Sequence, residues 1–215
     1  RRVVLSQEEY EALLAVSIDI DWRFHVALVL AHETGHRAGA VAGLRWSDVD
    51  FDGTLIFWRA ENEKTGYEHV TPASDAALAV LRYALSQNPT VGDAPVMPSP
   101  GDSSKGPSRH LMRDWWKRAE KLAGLEAKRG RGWHALRRKF ASDLMDQPLK
   151  VLCELGGWKE AQTILKCYQH PDQDVLAAAL RSRSSQNGSD PGPEKAQFGP
   201  IREDEPETPK LRLIP

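Results

Sequence analysis

The chain has 215 residues, of which 29 are basic and 30 acidic, so its formal net charge is −1. Hydrophobic residues make up 40% of it and the mean hydropathy is −0.51, which is typical of a folded domain and excludes a chain built of membrane-spanning helices. The two cysteines, Cys153 and Cys167, are too few for a disulfide scaffold or a zinc site. Because no signal peptide is visible either, the sequence predicts a reduced protein of the cytoplasm.

Charge is unevenly distributed along the chain. Residues 1–100 carry 8 basic and 14 acidic side chains, whereas residues 109–139 carry 11 basic and 3 acidic ones, a net charge of +8. Such a block raises the local positive potential and favours binding of a polyanion such as nucleic acid. A solvated helix face is the alternative interpretation of the same block.

The first third of the chain predicts three helices. Ser6 and Glu9 have the spacing of a capping box, which predicts a helix immediately after Ser6. A second helix is predicted from about residue 21 to 32, with Gly35 ending it, and a short third one over residues 37–44.

The hydrophobic period then changes to that of strands. Leu55 and Phe57 predict one strand and residues 67–70 another, with the turn-prone residues 62–66 between them. Residues 88–107, rich in proline, glycine and serine, predict a loop. Further helices are predicted at about 72–86, 108–124, 133–146, 149–156, 160–168 and 172–181. The fold class is therefore mainly α with a small antiparallel β-sheet.

The end of the chain has a different composition. Residues 182–215 contain six prolines and almost no aromatic residues, and they show no periodicity. Such a segment cannot bury enough apolar surface to fold, so we expect a disordered tail.

Two His-x-x-Arg pairs are candidates for chemistry: His110 with Arg113, and His134 with Arg137. A spacing of three places both side chains on one helix face. There, an imidazole that can transfer a proton lies beside a guanidinium that can bind a phosphate. The sequence contains no glycine-rich phosphate loop, His-Glu-x-x-His or Cys-x-x-Cys pattern, so we expect neither a metal nor a cofactor.

The context of the second pair resembles a known family. Residues 133–142 read Trp-His-Ala-Leu-Arg-Arg-Lys-Phe-Ala-Ser and are similar to the His-x-Leu-Arg-(His/Arg)-x-Phe-Ala-(Ser/Thr) motif of tyrosine recombinases, the phage integrase family. Residues 34–37, Thr-Gly-His-Arg, with the segment 43–50 after them, are similar to the first arginine motif of that family.

The remaining motifs follow in the family's order. Residues 64–66, Lys-Thr-Gly, are similar to its hairpin lysine motif. Residues 155–158, Leu-Gly-Gly-Trp, and 168–170, Tyr-Gln-His, are similar to its terminal motif and nucleophile. The resemblance extends over about residues 4–180, and we place the catalytic domain at 1–181.

The resemblance implies an enzyme that cleaves and rejoins double-stranded DNA through a 3′-phosphotyrosyl intermediate, without metal or cofactor. Its nucleophile would be Tyr168, and Lys64 would protonate the departing 5′-oxygen. Arg37 and Arg137 would bind the non-bridging phosphate oxygens. The implied catalytic residues are Arg37, Lys64, His134, Arg137, Trp158 and Tyr168. The residues expected to bind DNA are Arg129, Arg131, Arg138 and Lys139.

Some alternatives stay open. Lys64 could be an ordinary turn lysine, and Trp158 or Tyr168 could belong to the core. The family often has an acidic residue three positions after the first arginine, where this chain has Ala40. Ala40 makes a non-catalytic DNA-binding relative an alternative for the whole chain. An enzyme with the same chemistry, such as a type IB topoisomerase, is a further alternative.

The resemblance also implies how the chain assembles. We expect an N-terminal core-binding domain to be missing from this chain, and a bacterial or phage-type protein of the nucleoid that forms a tetramer on DNA at full length. The fragment alone is expected to be monomeric, with the helix at 172–181 folded back onto its own protomer.

Overall fold

The computed structural model describes residues 3–64, 66–167 and 173–186. The chain divides into a larger unit up to residue 170 and a smaller one from residue 171. Tyr168 and residues 187–215 lie outside the described residues. The helices of the larger unit are α1 (Gln7–Ala15), α2 (Ser17–Ile20), α3 (Trp22–Thr34), α4 (Ala38–Ala42), α5 (Asp75–Gln87), α6 (Arg109–Leu122), α7 (Trp133–Asp143), α8 (Leu149–Gly156) and α9 (Ala161–Cys167).

Local capping signals place the helix ends. The Ser6 hydroxyl accepts a hydrogen bond from the Glu9 amide, and the Glu9 carboxylate accepts one from the Ser6 amide, so the predicted capping box is confirmed. Gly35 ends α3 in the left-handed conformation, as predicted. The helix predicted from residue 72 instead begins at Asp75, because the Ser74 hydroxyl caps it.

A three-stranded antiparallel sheet separates α4 from α5. Its strands are β1 (Val49–Asp50), β2 (Leu55–Trp58) and β3 (His69–Pro72), in the order β1-β2-β3. Trp58 pairs with His69 across β2 and β3. Side chains alternate in burial along β2, with Ile56 and Trp58 in the core. The mainly α fold with a small antiparallel sheet is therefore confirmed, although β1 and α2 were not predicted.

The central element of the core is α3, which packs against both α5 and α7. Eight of its side chains are buried, among them Phe24, Leu28 and Leu30. Full burial of one such side chain contributes about 1.5–3 kcal/mol of transfer free energy. A second cluster, formed by Phe140, Ala141, Leu152, Trp158 and Ile164, connects α7 with α8 and α9.

The smaller unit contributes α10 (Gln173–Gln186). This helix continues five residues past the predicted end of the last helix, so residues 182–186 are helical. In α10, Leu176 and Leu180 are 48% and 67% exposed. Among the described residues no helix is both long and apolar enough to cross a membrane.

Candidate active site

The turn between α3 and α4 carries the first motif arginine. Gly35 has a φ of 66°, and a side chain at this position would collide with the ring of Phe140 on α7. Only glycine therefore allows the turn to lie this close to α7. Arg37 is the N-cap residue of α4, and its side chain is 22% exposed. The turn thus presents a partly accessible guanidinium beside the start of α4.

The second motif arginine joins three segments of the core. Arg137 on α7 is fully buried, and its Nη1 atom donates hydrogen bonds of 2.6 Å to the carbonyl oxygens of Gly35 and Gly156. Its guanidinium carbon lies 3.9 Å from the ring centroid of Trp158. Arg137 therefore fixes the first arginine turn and the end of α8 relative to α7. Its predicted contact with a phosphate requires this buried site to open.

The β2–β3 hairpin brings Lys64 to the same region. The Arg37 Nη1 atom donates to the Glu63 carboxylate at 2.8 Å, and only 1% of the Glu63 side chain is exposed. The Gly66 amide donates to the Glu63 carbonyl oxygen at 2.9 Å, which closes a tight turn around Lys64. Lys64 itself is exposed. The lysine thus extends toward solvent from a turn that is tethered to Arg37.

The charges of several motif residues act on the imidazole of His134. Burial lowers the pKa of His134, and the positive charges of Arg138, Arg137, Arg37 and Lys64 lower it further. These cations come from α7, the turn before α4 and the β2–β3 hairpin. The imidazole is therefore held in its neutral form near neutral pH, in which it can accept a proton. Four of the six predicted catalytic residues are brought into one electrostatic neighbourhood.

A pair of buried histidines lies beneath this group. The Nε2 atoms of His36 and His69 are 2.9 Å apart, and the His36 ring stacks on Trp58 with centroids 3.6 Å apart. Burial and the charge of Arg137 lower the pKa of His36 well below its ordinary value. A side chain at Gly157, where φ is 63°, would lie 2.5 Å from the His69 ring. Sequence reasoning missed this pair, and the only signal for it was the position of both histidines near motif residues.

The residues expected to bind DNA have different surroundings. Arg129 is exposed. Arg131 is 4% exposed and forms ion pairs with Glu9 and Glu120, both at 2.8 Å. Arg138 donates to the carbonyl oxygens of Val3 and Gly130, and Lys139 pairs with Asp143 at 2.9 Å. The last three cations therefore have partners within the domain, and their direct contact with DNA stays a prediction.

Trp158 and Tyr168 are the other two predicted catalytic residues. Trp158 is 4% exposed and packs beside Phe140, so its ring belongs to the second core cluster as well as to the site. Its place among the catalytic residues stays a prediction. Tyr168 lies outside the described residues. Within residues 3–64, 66–167 and 173–186 no group of three or more histidine, cysteine, aspartate or glutamate side chains could hold a metal ion.

Solved structures with this fold define the class. The XerA recombinase superposes with a TM-score of 0.66 at 21% identity, over 87% of this chain and 66% of that chain. The Tn1549 transposon integrase, solved in complex with a circular intermediate DNA, superposes with a TM-score of 0.67 at 14% identity, over 85% of this chain and 66% of that chain. The fold is that of tyrosine recombinase catalytic domains.

Sequence comparison identifies the family. The profile of the phage integrase family matches residues 3–174, and the chain belongs to that family. The integrase of Salmonella phage P22 is 28% identical over 165 residues, which are 72% of this chain and 41% of that integrase. The chain therefore spans about two fifths of the length of this relative. The family resemblance predicted from the five motifs is confirmed.

Proposed function

We propose that this chain is the catalytic domain of a site-specific DNA recombinase or integrase, which cleaves and rejoins DNA through a 3′-phosphotyrosyl intermediate at Tyr168. The observation that carries the proposal is the set of contacts that joins three motif segments: Arg137 donates to the carbonyl oxygen of Gly35, two residues before Arg37, and Arg37 pairs with Glu63, the residue before Lys64. A phosphate in transfer carries negative charge on its non-bridging oxygens, and fixed guanidinium and ammonium groups stabilise that charge. Membership in the phage integrase family supports the same reaction.

The chemistry assigns one step to each group. The Tyr168 hydroxyl oxygen attacks the scissile phosphorus, the bond to the 5′-oxygen breaks, and Lys64 gives that oxygen a proton. A tyrosine hydroxyl has a pKa of about 10, so its deprotonation near neutral pH costs about 4 kcal/mol. Neutral His134 accepts the phenolic proton, while Arg37 and, once its buried site opens, Arg137 bind the non-bridging oxygens. Attack of a 5′-hydroxyl on the phosphotyrosine reverses the sequence and rejoins the strand.

We propose double-stranded DNA as the partner, bound without metal or cofactor. Exposed cations of the basic block contact phosphates, and such contacts do not depend on the base sequence of the DNA. Arg129 is among these exposed cations, whereas Arg131, Arg138 and Lys139 support the surface from within. A DNA-acting protein of this kind would work in the cytoplasm at the nucleoid.

A nicked duplex tests the proposal. The 215-residue chain is incubated with a pool of nicked duplexes of randomised sequence, in which cleavage releases a short strand and becomes irreversible. A covalent adduct on a denaturing gel is expected, and sequencing of the captured DNA provides one defined substrate. Tyr168→Phe should abolish the adduct and leave DNA binding nearly intact, because the ring is kept and only the nucleophile is lost.

The control and the contradicting outcomes are distinct. Tyr83→Phe, on α5, removes a hydroxyl away from the motif residues and should still form the adduct. Binding of the pool without any adduct would indicate a non-catalytic DNA-binding relative. An adduct that relaxes supercoiled plasmid but never exchanges strands between two captured sites would indicate a topoisomerase.

Assembly is tested separately by light scattering. We propose that this chain is monomeric without DNA and that the full-length protein forms a tetramer on its site. A stable dimer without DNA, dissociated by Leu176→Asp in α10, would contradict the monomer.

A further inference from the structure

The carboxylate that holds Arg37 comes from an unexpected position. Glu63 ends the 3₁₀ turn Ala60–Asn62 in the β2–β3 hairpin, 26 residues after Arg37 in the sequence. Its Oε2 atom accepts a hydrogen bond of 2.8 Å from Arg37 Nη1, and its side chain is 1% exposed. A buried carboxylate is stable only when a cation and hydrogen-bond donors compensate its charge. Arg37 provides the cation and a donor to Oε2, while Oε1 is buried and accepts no hydrogen bond from the described residues.

The position where the family resemblance places an acidic residue cannot do this. Ala40 lies on α4, is 1% exposed and carries no charge. In the described part of the chain, Glu63 is the carboxylate that forms an ion pair with Arg37. The hairpin therefore supplies the charge that α4 lacks.

The geometry of the pair leaves Arg37 able to bind a phosphate. A guanidinium has five N–H donors in a rigid plane, and the contact with Glu63 uses the Nη1 nitrogen. The Arg37 side chain is still 22% exposed, whereas Glu63 is covered. The carboxylate thus holds Nη1 of the guanidinium at a buried position and leaves other N–H donors of Arg37 accessible to an anion.

Glu63 also connects Arg37 with Lys64. Its carbonyl oxygen accepts from the Gly66 amide and closes the turn that presents the lysine. The neighbouring Asn62 side chain donates to the Gly43 carbonyl oxygen at 3.2 Å, which ties the hairpin to the end of α4. One residue therefore orders the first arginine through its side chain and the lysine turn through its backbone.

We propose that Glu63 is a positioning residue for DNA cleavage, acting through Arg37 in place of the acidic residue that is absent at position 40. The proposal rests on the proposed strand-cleavage function. Its role is to hold the guanidinium in the orientation that meets the scissile phosphate, since small displacements of a positioned group are costly in rate.

The test is a double-mutant cycle on the captured nicked duplex, with single-turnover cleavage rates measured for wild type, Glu63→Gln, Arg37→Ala and the double variant. Glu63→Gln keeps the shape and one acceptor oxygen but removes the charge. It should slow cleavage by about 100-fold in the wild-type background. In the Arg37→Ala background it should change the rate by less than about twofold, because the group it positions is gone.

Glu61→Gln is the matched control. Glu61 lies in the same 3₁₀ turn, its side chain is 68% exposed, and its carboxylate lies 3.9 Å from Arg59. The substitution removes the same charge as Glu63→Gln but leaves the ion pair between Glu63 and Arg37 in place. This variant should cleave at the wild-type rate. Anisotropy of labelled duplex should show equal binding by both glutamine variants, and thermal unfolding should show that Glu63→Gln remains folded.

The cleavage rates distinguish failure of the proposed function from failure of the proposed role of Glu63. A wild-type chain that forms no adduct overturns the proposed function and this inference with it. A wild-type chain that cleaves, with Glu63→Gln equally fast, overturns the inference alone. Equal slowing in the wild-type and Arg37→Ala backgrounds also overturns it, because Glu63 would then act through something other than Arg37. If Glu63→Gln unfolds, Glu63→Asp replaces it in the same cycle, with the same expectation of no added effect beside Arg37→Ala.

Discussion

Two groups of cations come from one basic stretch of sequence and have opposite surroundings. The inner cations are buried or nearly so and bind carbonyl oxygens or carboxylates of the domain: Arg131, Arg137, Arg138 and Lys139. The outer cations are exposed, most of them on α6: Arg109, Arg113, Lys117, Arg118, Lys121, Lys128 and Arg129. Net charge therefore does not report which cations reach a ligand. Burial and the partner of each side chain decide that.

The physical cost differs between the two groups. An inner cation must recover the free energy of leaving water through hydrogen bonds in fixed geometry, so its loss damages the fold. An outer cation keeps its hydration and contributes little to stability. Its contribution to binding is the release of counterions from a nucleic acid, which depends on salt.

The largest expected effect is that of Arg137→Ala. Cleavage of the captured nicked duplex should slow by about two to three orders of magnitude, or about 3–4 kcal/mol of transition-state stabilisation. Arg37→Ala should have a similar effect on cleavage. The free energy of unfolding should fall in both variants: in Arg137→Ala because the carbonyl oxygens of Gly35 and Gly156 lose their donor, and in Arg37→Ala because buried Glu63 loses its cation. A free energy of unfolding equal to that of wild type in Arg137→Ala would contradict the structural role of Arg137.

Arg131→Ala should affect the fold and not the chemistry. Removal of its guanidinium leaves Glu9 and Glu120 without their partner, and we expect a loss of about 3 kcal/mol in urea unfolding. Arg129→Ala, two residues away and exposed, is the control and should change stability by less than about 0.5 kcal/mol. A reversal of the two results would mean that the inner and outer groups are assigned wrongly.

Lys64 lies outside the basic stretch and is exposed like the outer cations, but it has a predicted chemical role. It tests whether an exposed cation can be essential for cleavage. Lys64→Ala should slow cleavage by about 100-fold, which is typical of the loss of a general acid. A duplex with sulfur in place of the bridging 5′-oxygen should restore the rate, since a thiolate leaves without a proton. Rescue of Arg37→Ala in place of Lys64→Ala would show that the acid is a different residue.

The buried histidines predict a smaller, pH-dependent effect. Burial keeps the pKa of His36 and His69 below the ordinary histidine value. The unfolded chain therefore binds more protons than the folded one below about pH 6.5. The free energy of unfolding should fall as the pH decreases, by about 1.4 kcal/mol per pH unit for each such histidine that stays neutral in the folded state. In the variant His36→Gln/His69→Gln, which keeps hydrogen-bonding groups that do not titrate, chemical unfolding should depend less on pH over this range. An unchanged slope would contradict the assignment.

The smallest effect on stability belongs to the outer cations of α6. Arg113→Ala/Lys117→Ala should leave the unfolding free energy within about 0.5 kcal/mol of wild type. The slope of log affinity for duplex DNA against log salt should decrease by about one unit for each cation that contacts a phosphate. Arg82→Ala, an exposed arginine on α5, is the control and should keep the full slope.

Much of the architecture was predictable because its signals are local. The start of α1 after Ser6 and the end of α3 at Gly35 depend on hydrogen bonds and backbone conformation within a few residues. Both predictions are confirmed. The short elements α2 and β1 escaped prediction because four and two residues carry no measurable period. The motif residues were found by their order along the chain, which needs no knowledge of distances.

The sequence by itself determined the family, the fold class and the identity of the chemical groups. Only the tertiary structure decided which cations face inward, because Arg129 and Arg131 are equally basic and only the ion pairs with Glu9 and Glu120 distinguish them. It also decided that Glu63 balances Arg37 and that His36 meets His69. These contacts join residues 26 and 33 positions apart, and such pairs depend on how α4, the hairpin and α7 pack together. Composition and periodicity describe one segment at a time, so they contain no information about the partner that packing brings to it.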